Sequence, residues 1–192
     1  MAARDDLLAA LRRAAPTEEI PLPDLSKLGT RFDDPAAQLV RAVESVGGTC
    51  VRVPDRAAAG RALAERGARR IVSLVPEVMP GNVDLAAIAD PHDLEGVDLA
   101  VLPGEFAVAE NGAVWVDAAA LPHRAIFVIA EHLVLVVTGI VNDMHAAYAM
   151  LADRPVGYGT FIAGPSKTAD IEQALVIGAH GPRSCTVVLV ES

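Results

Sequence analysis

The chain has 192 residues, 52% of them hydrophobic, which suits one domain with its own core. A formal charge of −9 and an aromatic content of 4% argue against nucleic acid as a partner. Phosphate neutralisation needs clustered cations, and single strands need stacking platforms. Two cysteines, Cys50 and Cys185, match no metal spacing and are too few to hold an iron–sulfur cluster, so they read as buried free thiols in a reducing cytosol.

Leu7, Leu8 and Leu11 have helical spacing within residues 4–14. Residues 15–33 carry Pro16, Pro21 and Pro23 and read as an irregular linker, so residues 1–33 form an N-terminal appendage. Asp34-Pro35 then starts a helix whose face is Ala36, Leu39, Val40 and Val43, with Gly47-Gly48 as its stop. Thr49 to Val53 is a strand, Asp55 caps a helix through Leu63, and Ile71 to Val75 is the next strand. This β–α–β order predicts a parallel sheet.

Residues 76–96 read as a surface excursion with a short helix near Val83 to Ala89. Consecutive strands follow at 98–102, 106–110, 113–117, 126–130 and 133–138, which predicts an antiparallel or mixed cluster. The apolar region from Ala125 to Val141 is interrupted by Glu131 and His132 and is shorter than the ~20 residues of a membrane span, so it reads as buried strand. A helix from Asn142 sets Met144, Ala147, Tyr148 and Leu151 on one face, and Thr186 to Val190 closes the sheet. The fold class expected is α/β: three layers around a mostly parallel or mixed sheet.

The densest chemistry lies in Gly164-Pro165-Ser166-Lys167-Thr168-Ala169-Asp170-Ile171-Glu172. The pattern predicts a Gly-Pro turn into a helix that buries Ile171, Ala174 and Leu175 and ends at Gly178. Its N-terminus would offer N–H groups to an anion, with Gly164, Ser166, Lys167, Thr168 and Asp170 around it. Plain capping, with Thr168 as cap and Asp170 in the first turn, explains the same residues. His180, fixed beside Gly181-Pro182, is the preferred catalytic histidine among five. Glu110-Asn111-Gly112 has two compatible readings. It is a strong two-residue hairpin turn, and it is also a strand end that presents Glu110 as nucleophile or base. Asn111 and Gly112 are then candidate ligand contacts. No cofactor motif occurs, and neither a metal nor a cofactor is expected.

These segments resemble the LUD domain family, the LutC/YkgG group associated with lactate utilisation. The resemblance rests on the 164–172 stretch with Leu175-Val176, Gly178 and His180-Gly181-Pro182. Ala109-Glu110-Asn111-Gly112, Leu121-Pro122 and Glu131-His132 follow the family's order upstream. Asn111 stands where the family has Thr, and Ala113 lacks a hydroxyl the family often carries there. The resemblance places a LUD domain at residues 34–192 and implies a NagB/RpiA/CoA-transferase-like fold. It also implies a cytoplasmic, cluster-free subunit or small-ligand module in conversion of L-lactate to pyruvate, with iron–sulfur companion proteins as partners. Glu110-Asn111-Gly112 also resembles the Ser-Glu-Asn-Gly segment of class I CoA transferases, whose Glu forms the acyl intermediate. An acyl or CoA transferase or sugar-phosphate isomerase using Glu110 is the alternative, and a purely structural partner module is the third.

Overall fold

The computed structural model describes residues 2–15, 21, 24, 28–63, 67–154, 157–171 and 174–191. Helix α1 spans Ala2–Ala14, with Leu7 and Leu11 exposed. Helix α2 spans Pro35–Ser45 and begins as its sequence dictates, because Asp34 Oδ1 accepts from Ala37 N–H at 2.9 Å and Pro35 needs no N–H partner there. Strand β1 is Thr49–Val53, α3 is Arg56–Leu63, and β2 is Ile71–Ser73. Asp55 Oδ1 accepts from Ala58 N–H at 2.7 Å, which fixes the start of α3.

The excursion that follows contains 3-10 turns at Leu85–Ala87 and Pro91–Leu94. Next come β3 (Leu99–Pro103), β4 (Phe106–Val108), β5 (Val114–Asp117), α4 (Ile126–Ile129), β6 (His132–Val137) and β7 (Gly139–Val141). Helix α5 is Met144–Leu151, followed by β8 (Gly159–Ile162), β9 (Lys167–Ile171), β10 (Ala174–Ile177) and β11 (Ser184–Val190).

The main sheet is parallel, in the order β1-β11-β6-β3-β2. Its strands alternate between two apolar layers, so neither face is wet. Ala100, Leu102, Leu133, Leu135 and Val187 pack with Leu39 and Val43 of α2. Leu99, Val101, Val134, Val136 and Val188 pack with Ala59 and Leu63 of α3. This is the expected three-layer α/β arrangement.

A second sheet, in the order β7-β4-β5-β8, continues from the first. β4 and β7 follow β3 and β6 after one or two residues and remain parallel to each other, whereas β5 is antiparallel to both of its neighbours. One face joins the α2 core through Ala107, Val114 and Val116. The other carries Phe106, Trp115 and Phe161 under Ala147 of α5. The cluster expected from residue 97 onward is therefore divided: β3 and β6 are central parallel strands, and only the remainder is mixed.

Three local expectations are corrected. Residues 126–129 form a helical turn, not a strand. Ile126 and Phe127 are buried as adjacent residues while Val128 and Ile129 face out, a pattern that strand alternation cannot produce. The 110–112 hairpin has a four-residue loop, not a two-residue one. Val108 N–H bonds to Ala113 O at 2.7 Å, while Ala109 and Glu110 N–H turn to Val141 and Asn142 carbonyls and so lengthen the β4–β7 pairing. No helix follows Gly164. That stretch is the antiparallel β9–β10 hairpin, paired at Lys167↔Ile177, Thr168↔Val176 and Ile171↔Ala174. Leu175, expected in the core, is 62% exposed.

Candidate functional site

Gly164 and Gly112 lie at the same end of neighbouring strands, because Val114 pairs with Ile162. Both adopt positive φ, +74° and +72°. A Cβ on Gly112 would stand 2.8 Å from Val43 N, and one on Gly164 would stand 2.6 Å from Val46 O. The two glycines therefore seat the last turn of α2 against the mixed sheet. Lys167 completes that seat, since its Nζ donates to Val46 O at the helix C-terminus, where a cation complements the dipole. Asn111 holds the loop by accepting from Ala113 N–H at 3.0 Å. These four residues do structural work, and without a helix after Gly164 the proposed helix-terminus anion site loses its basis. The side chain of Asp170 lies outside the described residues, as does Glu172.

Glu110 is exposed, and its Oε2 accepts from Met144 N–H at 3.0 Å at the start of α5. Asp143 caps the same helix through Ala146 N–H at 2.8 Å. Glu110 thus serves a helix terminus.

Ser166 and His180 do come together. They line one cavity of about 300 Å³ with Val128, Tyr158, Phe161 and Gly181. The backbone clamps its mouth: Ser166 N–H bonds to Pro182 O at 2.9 Å, and Gly178 N–H bonds to Ser166 O at 3.0 Å. Gly181 is required because a Cβ there would meet Ser166 Cβ at 2.9 Å. Thr168 Oγ1 lies 3.3 Å from His180 Nδ1. The Arg124 guanidinium sits 4.9 Å from the centre of the ring of Tyr158, which itself lines the cavity. Leu133, second residue of β6, belongs to the wall, and Pro182 precedes β11. The cavity therefore opens at the amino ends of the parallel strands, not at the carboxyl ends where α/β sites are expected.

A second hollow of about 420 Å³ shares Val128, His180 and Gly181 with the first and adds Asp98, Glu131 and Arg183. Its charges are already paired. Arg183 Nη1 lies 2.8 Å from Glu131 Oε1. Asp98 Oδ2 accepts from Arg69 and Arg70 N–H at 2.8 Å each. These bonds, that of Arg70 foremost, hold its carboxyl below the usual range. His132 Nδ1 is 2.8 Å from Ser184 Oγ, a cross-strand pair at the amino ends of β6 and β11. A larger hollow of about 640 Å³, between residues 29–31 and α5, contains none of the motif residues.

Cys50 and Cys185 stand on adjacent strands. Burial pushes their thiols up to about 11 and about 12. Among the described residues no three His, Cys, Asp or Glu side chains are grouped to hold a metal. Val128 and Tyr158 carry no motif, and only tertiary packing brings them to the cavity.

The LUD domain family model matches residues 90–190, more than half of the chain. The chain belongs to the LUD domain family. This LUD protein is 29% identical to YkgG of Escherichia coli K12, over 50% of this chain and 46% of that protein, so the match spans about half of each. It is 27% identical to lactate utilization protein C of Geobacillus thermodenitrificans, over 97% of this chain and 79% of that protein. A DUF162 family crystal structure from Deinococcus radiodurans superposes with a TM-score of 0.60 at 20% identity, covering 81% of this chain and 96% of that one. The α/β architecture is therefore shared with a solved structure. Among the described residues no helix is long and apolar enough to cross a membrane.

Proposed function

We propose that this LUD protein serves L-lactate utilisation as a cluster-free, ligand-binding component acting with iron–sulfur companion proteins in the cytoplasm. The name of its Geobacillus relative supports the pathway. One observation carries the binding role: Ser166 and His180, apart in sequence but within the family's most specific stretch, line a single cavity with an apolar wall. Its volume suits a small organic anion. Ser166 offers a hydroxyl and His180 a ring nitrogen, and Arg124, stacked on the lining Tyr158, carries a positive charge nearby. The engagement of Glu110 at the α5 terminus favours this reading over acyl transfer through that carboxylate.

The test has two arms. Deleting the gene should abolish growth on L-lactate, and unchanged growth and lactate oxidation would remove the pathway role. L-lactate and pyruvate should each be titrated against the purified protein by thermal shift. A stabilisation lost in both Ser166→Ala and His180→Ala but retained in Glu110→Gln is expected. A shift abolished only by Glu110→Gln would return the site to the hairpin loop.

A further inference from the structure

The face of the mixed sheet turned toward α5 gathers aromatic rings. The chain has one Trp, two Tyr and four Phe, and Phe106, Trp115, Tyr148 and Phe161 meet here. Trp115 of β5 and Phe161 of β8 are directly paired, so both side chains leave the sheet on one face. Their ring centres lie 4.8 Å apart, and the Tyr148 ring of α5 stands 5.8 Å from that of Phe161. Gly159 lets the indole lie against the backbone, since a Cβ there would stand 2.0 Å from Trp115 Cζ2. The rings do not close on one another. Their planes are tilted by 55° and 60°, Tyr148 stays 62% exposed, and all three line a hollow of about 500 Å³. Arg154, just beyond α5, and Thr160 belong to the same lining. Arg154 Nη1 bonds to Glu105, which is outside that lining, and among the described residues the lining includes no carboxylate. A guanidinium has five N–H donors in a fork, so this pair leaves Arg154 with donors for a second anion.

We propose that this hollow binds a single planar aromatic ring carrying an anionic group, the chemistry shared by a nucleoside monophosphate and a flavin nucleotide. The ring rests against Tyr148 and Phe161, and the anion against Arg154. Aromatic walls reward a flat ring over an aliphatic acid, because π faces and edges add to the area buried. Arg154 selects the charge. Tilted rings would also suit a quaternary ammonium, but a guanidinium in the same lining opposes a second cation. The cavity of Ser166 and His180 shares Thr160 and Phe161 of β8 with this hollow but lacks Trp115, Tyr148 and Arg154. Binding here does not depend on the lactate role.

Trp115 is the only tryptophan of the chain, so its fluorescence reads this hollow directly. The full chain should be titrated with two pairs of ligands, AMP with adenosine and flavin mononucleotide with riboflavin. At least one phosphorylated ligand should quench saturably with a Kd below about 1 mM, and should bind about tenfold more tightly than its unphosphorylated partner. Tyr148→Ala should weaken both members of that pair about tenfold, through loss of a stacking face. Arg154→Gln should remove the advantage of the phosphate and leave the unphosphorylated member unchanged. That comparison is made within one variant, so a change in its stability cannot imitate the result. Absence of saturable quenching by all four ligands, equal binding within each pair, or quenching by choline alone would overturn the proposal. So would binding that is indifferent to Tyr148→Ala and Arg154→Gln, or that is lost only in Ser166→Ala, which would place the ring in the other cavity.

Discussion

Gly164 and Gly112 owe their place to backbone geometry. Each combines a positive φ with a contact on α2 that leaves no room for a methyl group. Gly164→Ala should therefore cost about 1–3 kcal/mol from backbone strain alone, with more from the clash at Val46 O. Urea denaturation would measure it, and a neutral result would mean that α2 does not rest on this turn. Sequence alone placed these glycines beside a ligand, because a Gly-rich turn looks the same whether a phosphate or a helix approaches it. Lys167 raises the same ambiguity. A cation near a turn serves an anion or a row of helix carbonyls equally well, and only the position of Val46 decides for the carbonyls.

At the scale of elements, the first half of the chain was readable because its signals are local. Asp34 and Asp55 cap where their spacing says they cap, and Gly47-Gly48 ends α2. The 164–178 segment misled because Thr, Asp, Glu and Gln at helix-start spacing outweighed the β-branched Thr168, Ile171, Val176 and Ile177. The clamp that favours the hairpin, Ser166 to Gly178 and Pro182, is not local. Helix α5 shows how an element can tie down a remote segment. Asp143, 4% exposed, accepts from Ala146 N–H and also from Thr30 N–H. The bond from Ala146 leads in holding its carboxyl below the usual range, against the opposing effect of burial, with Thr30 and the nearby His145 adding to it. A depressed carboxylate stabilises the fold above its unfolded value of about 3.9, and the contribution is lost as pH falls through the folded value. Asp143→Asn should thus be less stable than the wild type at pH 7, and the difference should vanish as pH drops below the ordinary carboxylate range. Urea midpoints across pH would show it; a gap independent of pH would assign the effect to shape instead of charge.

At the scale of the whole molecule, β6 is the keystone. It is the middle strand of the parallel sheet, it packs into both apolar layers, and it leads directly into the second sheet through β7. Leu135 at its centre is fully buried. Leu135→Ala should cost about 2–5 kcal/mol, because neighbours on a paired central strand cannot collapse into the void. A calorimetric melt would report it, and a loss near that of an exposed leucine would contradict the layer assignment. The continuous apolar composition of β3, β6 and β11 made a doubly covered sheet predictable. The strand order was not predictable, because neighbours in the sheet such as β11 and β1 are separated by most of the chain.

Composition and motif thus settled a great deal by themselves: an α/β chain, two capped helices and a LUD family signature. Each depends on residue type and short-range spacing, which the chain carries without folding. Tertiary structure decided the rest. It made a hairpin of the signature stretch, gave Lys167 and the two glycines to α2, took Glu110 to the α5 terminus, and left Ser166 and His180 together at a cavity. Those outcomes depend on which distant backbone N–H or carbonyl lies within 3 Å of a side chain, and that distance exists only once the sheets have formed.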